Sequence, residues 1–413
     1  MDGPTIIFDK SALQILRVDE SCWLDAFFTS NLTPLLYIET LADLEKDVAR
    51  KHKRRRIPTP QEIVGELALK TPSVNCWPNI HHQVLFAADL LGLPVRMSNR
   101  PAIGRGQRMQ SAWGRGAHYG ESAEAQALGR WRQGDFLAVE REFARQWRHD
   151  LSSLSFEKGI ALARNAEPER FNSMSDIKEF VDLFVQRTDG EALHLAFELQ
   201  DVPGDVASEV GRRWLHSNRT PLCQFAPYAA HILKVDLFFF LSLASDLISK
   251  DRTSNRADIA YLYYLPFTMV FASDDRLHMK TAPLFMEMNQ VFVHGQDLKA
   301  ALQQLDSYYS GLPDEVKAQG IIKFAPYPPE DCGTLVSELW DGFSPSWRRN
   351  VAEAKMQPGP SRPSDVVTVE HLERVVGEAM PIDQPLDKPD YYYFERAIDR
   401  TKGKWNILPQ DID

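Results

Sequence analysis

Cysteine is scarce in this 413-residue chain: Cys22, Cys76, Cys223 and Cys332 stand far apart, with no CxxC pair. That scarcity excludes a sequence-legible zinc ribbon or a disulfide scaffold and points to a reducing compartment. An excess of positive charge is also missing. Lys and Arg number 47 against 57 Asp and Glu, a net charge of −10, so any nucleic-acid surface must be a local patch and not a basic coat. No apolar run reaches membrane length. The most apolar stretch, 235–248 (VDLFFFLSLASDLI), carries two aspartates and reads as a buried helix. The opening MDGPTIIFDK is acidic and strand-like, unlike a signal peptide, so a cytoplasmic protein with no membrane partner is expected. A GxSxG elbow is absent, and Gly104 and Gly106 follow no clear strand, which leaves a hydrolase triad and a dinucleotide loop unsupported. Cys76 and His81-His82 lack zinc-ligand spacing.

What is present is ordinary globular material, 44% apolar and 25% charged, enough to bury a core in two or three domains. TIIF (5–8) is a β-branched and aromatic run ending at Asp9. SALQIL then starts a helical pattern, with Ser11 a plausible N-cap. LLYI (35–38) reads as a second strand, ending at Glu39 before the helical TLADLEKDVAR. From about 60 to 250 the periodicity is helical. ADIAYLYYLPF then reads as a helix running to Pro266, TMVFAS as a buried strand ending at Asp274-Asp275, and QVFV (290–293) as a last strand before the helix DLKAALQQLDSYYS. Strands that end on acids and pass into helices predict an α/β domain with a parallel sheet.

Four acids fall at equivalent places. Asp9, Glu39 and Asp275 each end a strand run, and Asp258 lies on the helix before the last of these. Parallel α/β sheets bind ligands in a crevice at the carboxyl ends of their strands. Carboxylates crowded there repel one another unless a cation neutralises them, and hard oxygen donors suit Mg²⁺ or Mn²⁺. The plainer reading makes each acid a helix N-cap or a solvated turn residue.

These residues resemble a known family. TIIFDKSAL is similar to the opening motif of PIN domains, YIETLADLEK to their second motif, and NRADIAYLYYLPFTMVFASDDRL to the closing one. The resemblance covers about residues 4–48 and 250–300. It implies a Rossmann-like three-layer α/β/α fold with a divalent-metal nuclease site whose metal-binding and catalytic acids are Asp9, Glu39, Asp258 and Asp275. Asp43, one helical turn after Glu39, and Asp274, beside Asp275, are alternates. The expected organisation is a discontinuous PIN-like domain (1–50 and 250–325), a large mostly helical insertion (51–249) and a partly irregular C-terminal extension (326–413). Compact members of the family have only a modest spacer between their second and third acids. Here more than half the chain separates Glu39 from Asp258.

Two basic segments complete the reading. RKHKRRR (50–56) contains Lys51, Lys53, Arg54, Arg55 and Arg56, and residues 95–120 hold Arg105, Arg108 and Arg115 among glycines and aromatics. The first reads as a phosphate contact and the second as a flexible basic loop for single-stranded nucleic acid. The expectation is a metal-dependent endonuclease, with RNA favoured over single-stranded DNA and a stress or antiphage role by analogy. The alternatives are a non-catalytic PIN-like scaffold that binds a protein partner through the insertion, and a structure-specific DNA nuclease.

Overall fold

TIIF forms β1 (Thr5–Phe8), and its branched side chains are buried on both sides. The computed structural model describes residues 3–46, 58–111, 114–356, 380–381 and 390–410. β2 (Thr29–Leu32) and β3 (Cys76–Pro78) follow. β4 (Gln107–Ser111) and β5 (Gly114–Tyr119) pair as an antiparallel hairpin. The chain then returns to the first sheet with β6 (Val270–Ser273) and β7 (Val291–His294). That sheet has the order β3-β2-β1-β6-β7 and every pair is parallel. Strands are laid outward from β1 on one side, then outward from β1 on the other. The strand order therefore reverses between β1 and β6, which opens the crevice at their carboxyl ends.

Both faces of the sheet are covered, as a parallel sheet requires. Ile6, Phe8, Val270 and Ala272 point into one core with Leu13, Trp23 and Leu302. Ile7 and Phe271 point into the other, with Phe238, Ile259 and Leu262. Helices α1 (Lys10–Ile15) and α2 (Val18–Phe27) contribute to the first core. The second is dominated by the long helix Pro227–Ala244, most of which is buried inside the fold. It is the one helix among the described residues long and apolar enough to cross a membrane. Its buried Asp236 is paired with Arg256 at 2.6 Å and accepts the Tyr263 hydroxyl.

Several sequence expectations need correcting. LLYI is not a strand: α3 spans Pro34–Ala42, capped by the Thr33 hydroxyl on the Leu36 N–H, with Pro34 in its first turn. Thr-Pro is a helix start, and a short apolar run cannot distinguish a buried helix from a strand. The second strand is the polar TSNL, buried because it lies between β1 and β3. Asp9, not Ser11, caps α1, accepting from the Ala12 N–H at 2.9 Å. The segment 51–249 is mostly helical but supplies β3 to the main sheet and the β4–β5 hairpin. That hairpin replaces the expected basic loop at 107–119.

The C-terminal extension is tied back across the molecule. β8 (Met380–Pro381) pairs with β4 and β9 (Tyr391–Phe394) with β5. β10 (Thr401–Lys402) and β11 (Trp405–Asn406) form a small hairpin that sets Trp405 edge-on to Trp23, ring centres 4.8 Å apart.

Candidate functional site

Asp9 is the first residue past β1, and Ser273, Asp274 and Asp275 are the end of β6 and its continuation, so both segments face the crevice where the strand order reverses. Asp9 is only 4% exposed, and both its oxygens are occupied. Ser11 Oγ donates to Oδ1 at 2.7 Å, Ser273 Oγ donates to Oδ2 at 2.7 Å, and His278 Nδ1 lies 3.2 Å from Oδ2. The two serines lock the crevice further, because Ser11 Oγ accepts the Asp274 N–H and Ser273 Oγ accepts the Asp275 N–H.

His278 is fully buried, on the helix Arg276–Phe285 that Asp275 caps through the Leu277 N–H. Burial alone would discharge the ring. Its other nitrogen, Nε2, meets the Asp258 carbonyl at 2.6 Å. With the Asp9 carboxylate on Nδ1, this outweighs burial and raises the imidazole to about 9. Burial likewise pushes Asp9 up, but the hydrogen bond and charge of His278, with Ser273 and the Ala12 N–H, hold it below the usual carboxylate range. Asp9 and His278 are thus a buried ion pair.

The other acids approach the same centre. Glu39, half-buried on α3, accepts the Tyr261 hydroxyl at 2.6 Å. Burial raises its pKa, and Lys10 and the Tyr261 bond oppose that rise. Asp258 is pushed up to about 7, first by burial and then by the charges of Glu39, Asp275 and Asp9, against the pull of His278. Glu39, Asp275 and Asp9 all lie near enough to Asp258 for their charges to raise it, although the four acids come from well-separated parts of the sequence. The alternates are drawn elsewhere. Asp43 pairs with Lys10 at 3.2 Å and Lys46 at 3.6 Å, and Asp274 accepts from Gln296 at 3.1 Å. Glu39 stands on the α3 helix, not at a strand end, and reaches the crevice from the side.

As a cation site the donors are hard, but the arrangement is open. Among the described residues no three His, Cys, Asp or Glu groups are gathered closely enough to hold a metal ion as they stand. Asp9 has no unused oxygen, whereas Glu39 Oε1, Asp275 Oδ2 and the Asp258 carboxylate accept no hydrogen bond from a described residue.

His278, Ser11, Ser273 and Lys10 were missed as site residues. A lone histidine three residues after Asp275 has no legible partner until β1 and β6 lie side by side. Of the basic residues, Lys51, Lys53, Arg54, Arg55 and Arg56 lie outside the described residues. Arg105 is exposed in the segment before β4, and Arg108 and Arg115 stand on the hairpin strands.

The fold is a mixed α/β architecture around a central five-stranded parallel sheet, compatible with three α/β/α layers. Comparisons with protein-family models, with curated proteins and with solved structures find no match.

Proposed function

We propose that this protein is a PIN-like, divalent-metal-dependent nuclease that hydrolyses phosphodiester bonds, with RNA its favoured substrate. What supports the reading is the placement of Asp9 and Asp275 at the carboxyl ends of β1 and β6, with Asp258 raised to about 7 by burial and by the charges of Glu39, Asp275 and Asp9. Such crowding is costly unless a cation or a proton relieves it. Bound Mg²⁺ or Mn²⁺ would supply an activated water and charge stabilisation at the phosphate. Glu39, Asp258 and Asp275 would hold it. Asp9, kept ionised by His278, would orient Ser11 and Ser273 and add negative potential.

A second reading, a non-catalytic scaffold, is favoured by one feature: His278 already gives Asp9 a built-in cation at 3.2 Å. Incubation with labelled RNA and single-stranded DNA, in Mn²⁺ and in chelator, separates the two. The nuclease reading expects Mn²⁺-dependent cleavage that falls by orders of magnitude in Asp258→Asn and Asp275→Asn. Equal cleavage by wild type and both variants would sink it, and no cleavage under any condition would leave the scaffold.

A further inference from the structure

Beside the acidic crevice, on the same edge of the sheet, lies a cleft of about 680 Å³, within the usual range for a small-ligand site. Its floor is the carboxyl ends of β2 and β3, at Leu32, Pro78 and Asn79, and its far wall is the β5–β9 sheet. Tyr37 of α3 lines it, while Glu39 of the same helix faces the acids. β3 and β1 are two strands apart, roughly 10 Å, so one extended strand of substrate could lie across both places.

The lining is chemically specific. Trp77, Phe394 and Tyr119 form a continuous aromatic wall: Phe394 meets Trp77 edge-on at 4.5 Å and Tyr119 face-on at 4.9 Å. Arg396 lies over the Trp77 ring at 4.1 Å, and Phe394 remains 38% exposed. Arg105 lines the cleft and is exposed, and it forms no ion pair with a described residue. At the floor, Asn31 donates to the Phe267 carbonyl at 3.0 Å, so its Oδ1 faces Asn79 and accepts the Asn79 amide at 3.0 Å. That relay fixes Asn79 Oδ1 as an acceptor, and this buried atom has no partner. An apolar, aromatic slot with a guanidinium at its edge matches a planar base and a neighbouring phosphate.

We propose that this cleft is a subsite for one unpaired base of a single-stranded nucleic acid, with Arg105 on the adjoining phosphate. The assignment rests on the nuclease reading for its orientation toward the acids, but not for binding itself. The test is fluorescence anisotropy of the full chain with a short labelled single-stranded RNA and with the same sequence as a duplex, in chelator so that nothing is cleaved. Phe394→Ala should weaken single-strand binding at least about fivefold and leave duplex binding unchanged. Arg105→Ala, at an exposed position where folding is not at risk, should lower the log–log salt slope by about one, and Arg105→Lys should restore it. Wild-type affinity and slope in both alanine variants would overturn the subsite, even if the protein cleaves RNA. Conversely, a binding loss in a protein that never cleaves, with or without Mn²⁺, would keep the subsite and end the nuclease reading.

Discussion

Asp9 holds two jobs that sequence reasoning set against each other. It caps α1, and it also sits in the acid cluster, paired with His278. Asp9→Asn would preserve the cap, since Asn caps about as well as Asp, but would leave a buried imidazolium without its counter-charge. Urea unfolding should therefore show a loss of about 3 kcal/mol, the low end for breaking a buried pair because His278 can shed its proton. Adding His278→Gln to that variant should recover part of the loss. A purely capping Asp9 would give a change near zero and no recovery. His231 belongs to the long helix of the second core. Buried in the helix Pro227–Ala244, it keeps its Nε2 2.8 Å from the Leu262 carbonyl, and burial with the nearby Lys234 depresses it to about 3. The unfolded chain binds a proton near 6.5 that the native state refuses until about 3, so stability is complete above 6.5 and falls as the pH drops through that window. The slope approaches about 1.4 kcal/mol per pH unit. His231→Gln should flatten denaturant midpoints measured from pH 7 to pH 5, and a slope unchanged in the variant would show that His231 is not its source.

At the scale of elements, the second sheet depends on one close approach. Gly116 of β5 pairs with Tyr391 of β9, and the Tyr391 ring lies where a Cβ on Gly116 would be. Gly116→Ala should therefore push β9 off the hairpin, because the added Cβ would overlap the Tyr391 ring. Amide exchange at 391–394 should accelerate strongly while β1 and β6 stay protected. Unchanged protection of β9 would mean that the ring finds another rotamer. Because Phe394 belongs to β9, the same variant should lose the aromatic wall of the cleft.

For the whole molecule, the crowded acids make a thermodynamic statement. A cation that binds only the native state stabilises it by mass action, about 2.7 kcal/mol at a concentration of 100 Kd. Mn²⁺ should raise the Tm of the wild type at neutral pH, and Asp258→Asn, which relieves repulsion and removes a donor, should start at a higher Tm and respond less. A Tm indifferent to Mn²⁺ in both proteins would favour the scaffold reading.

Local chemistry determined much of this chain by itself. TIIF and VFAS carry enough branched and aromatic residues to specify buried strands, and the acids that follow them mark the crevice edge. Asp9 and Asp275 were legible because a strand end is a local signal. Tertiary structure alone decided the rest. Thr29–Leu32 is polar and becomes a strand only because β1 and β3 supply its hydrogen bonds. The Asp9–His278 pair, the diversion of Asp43 to Lys10, and the cleft joining β3 to β9 all depend on contacts between segments distant in sequence. Propensity acts over a few neighbouring residues, but charge pairing and burial act through space. Only the parallel ordering of β1 beside β6 brings those charges within reach of one another.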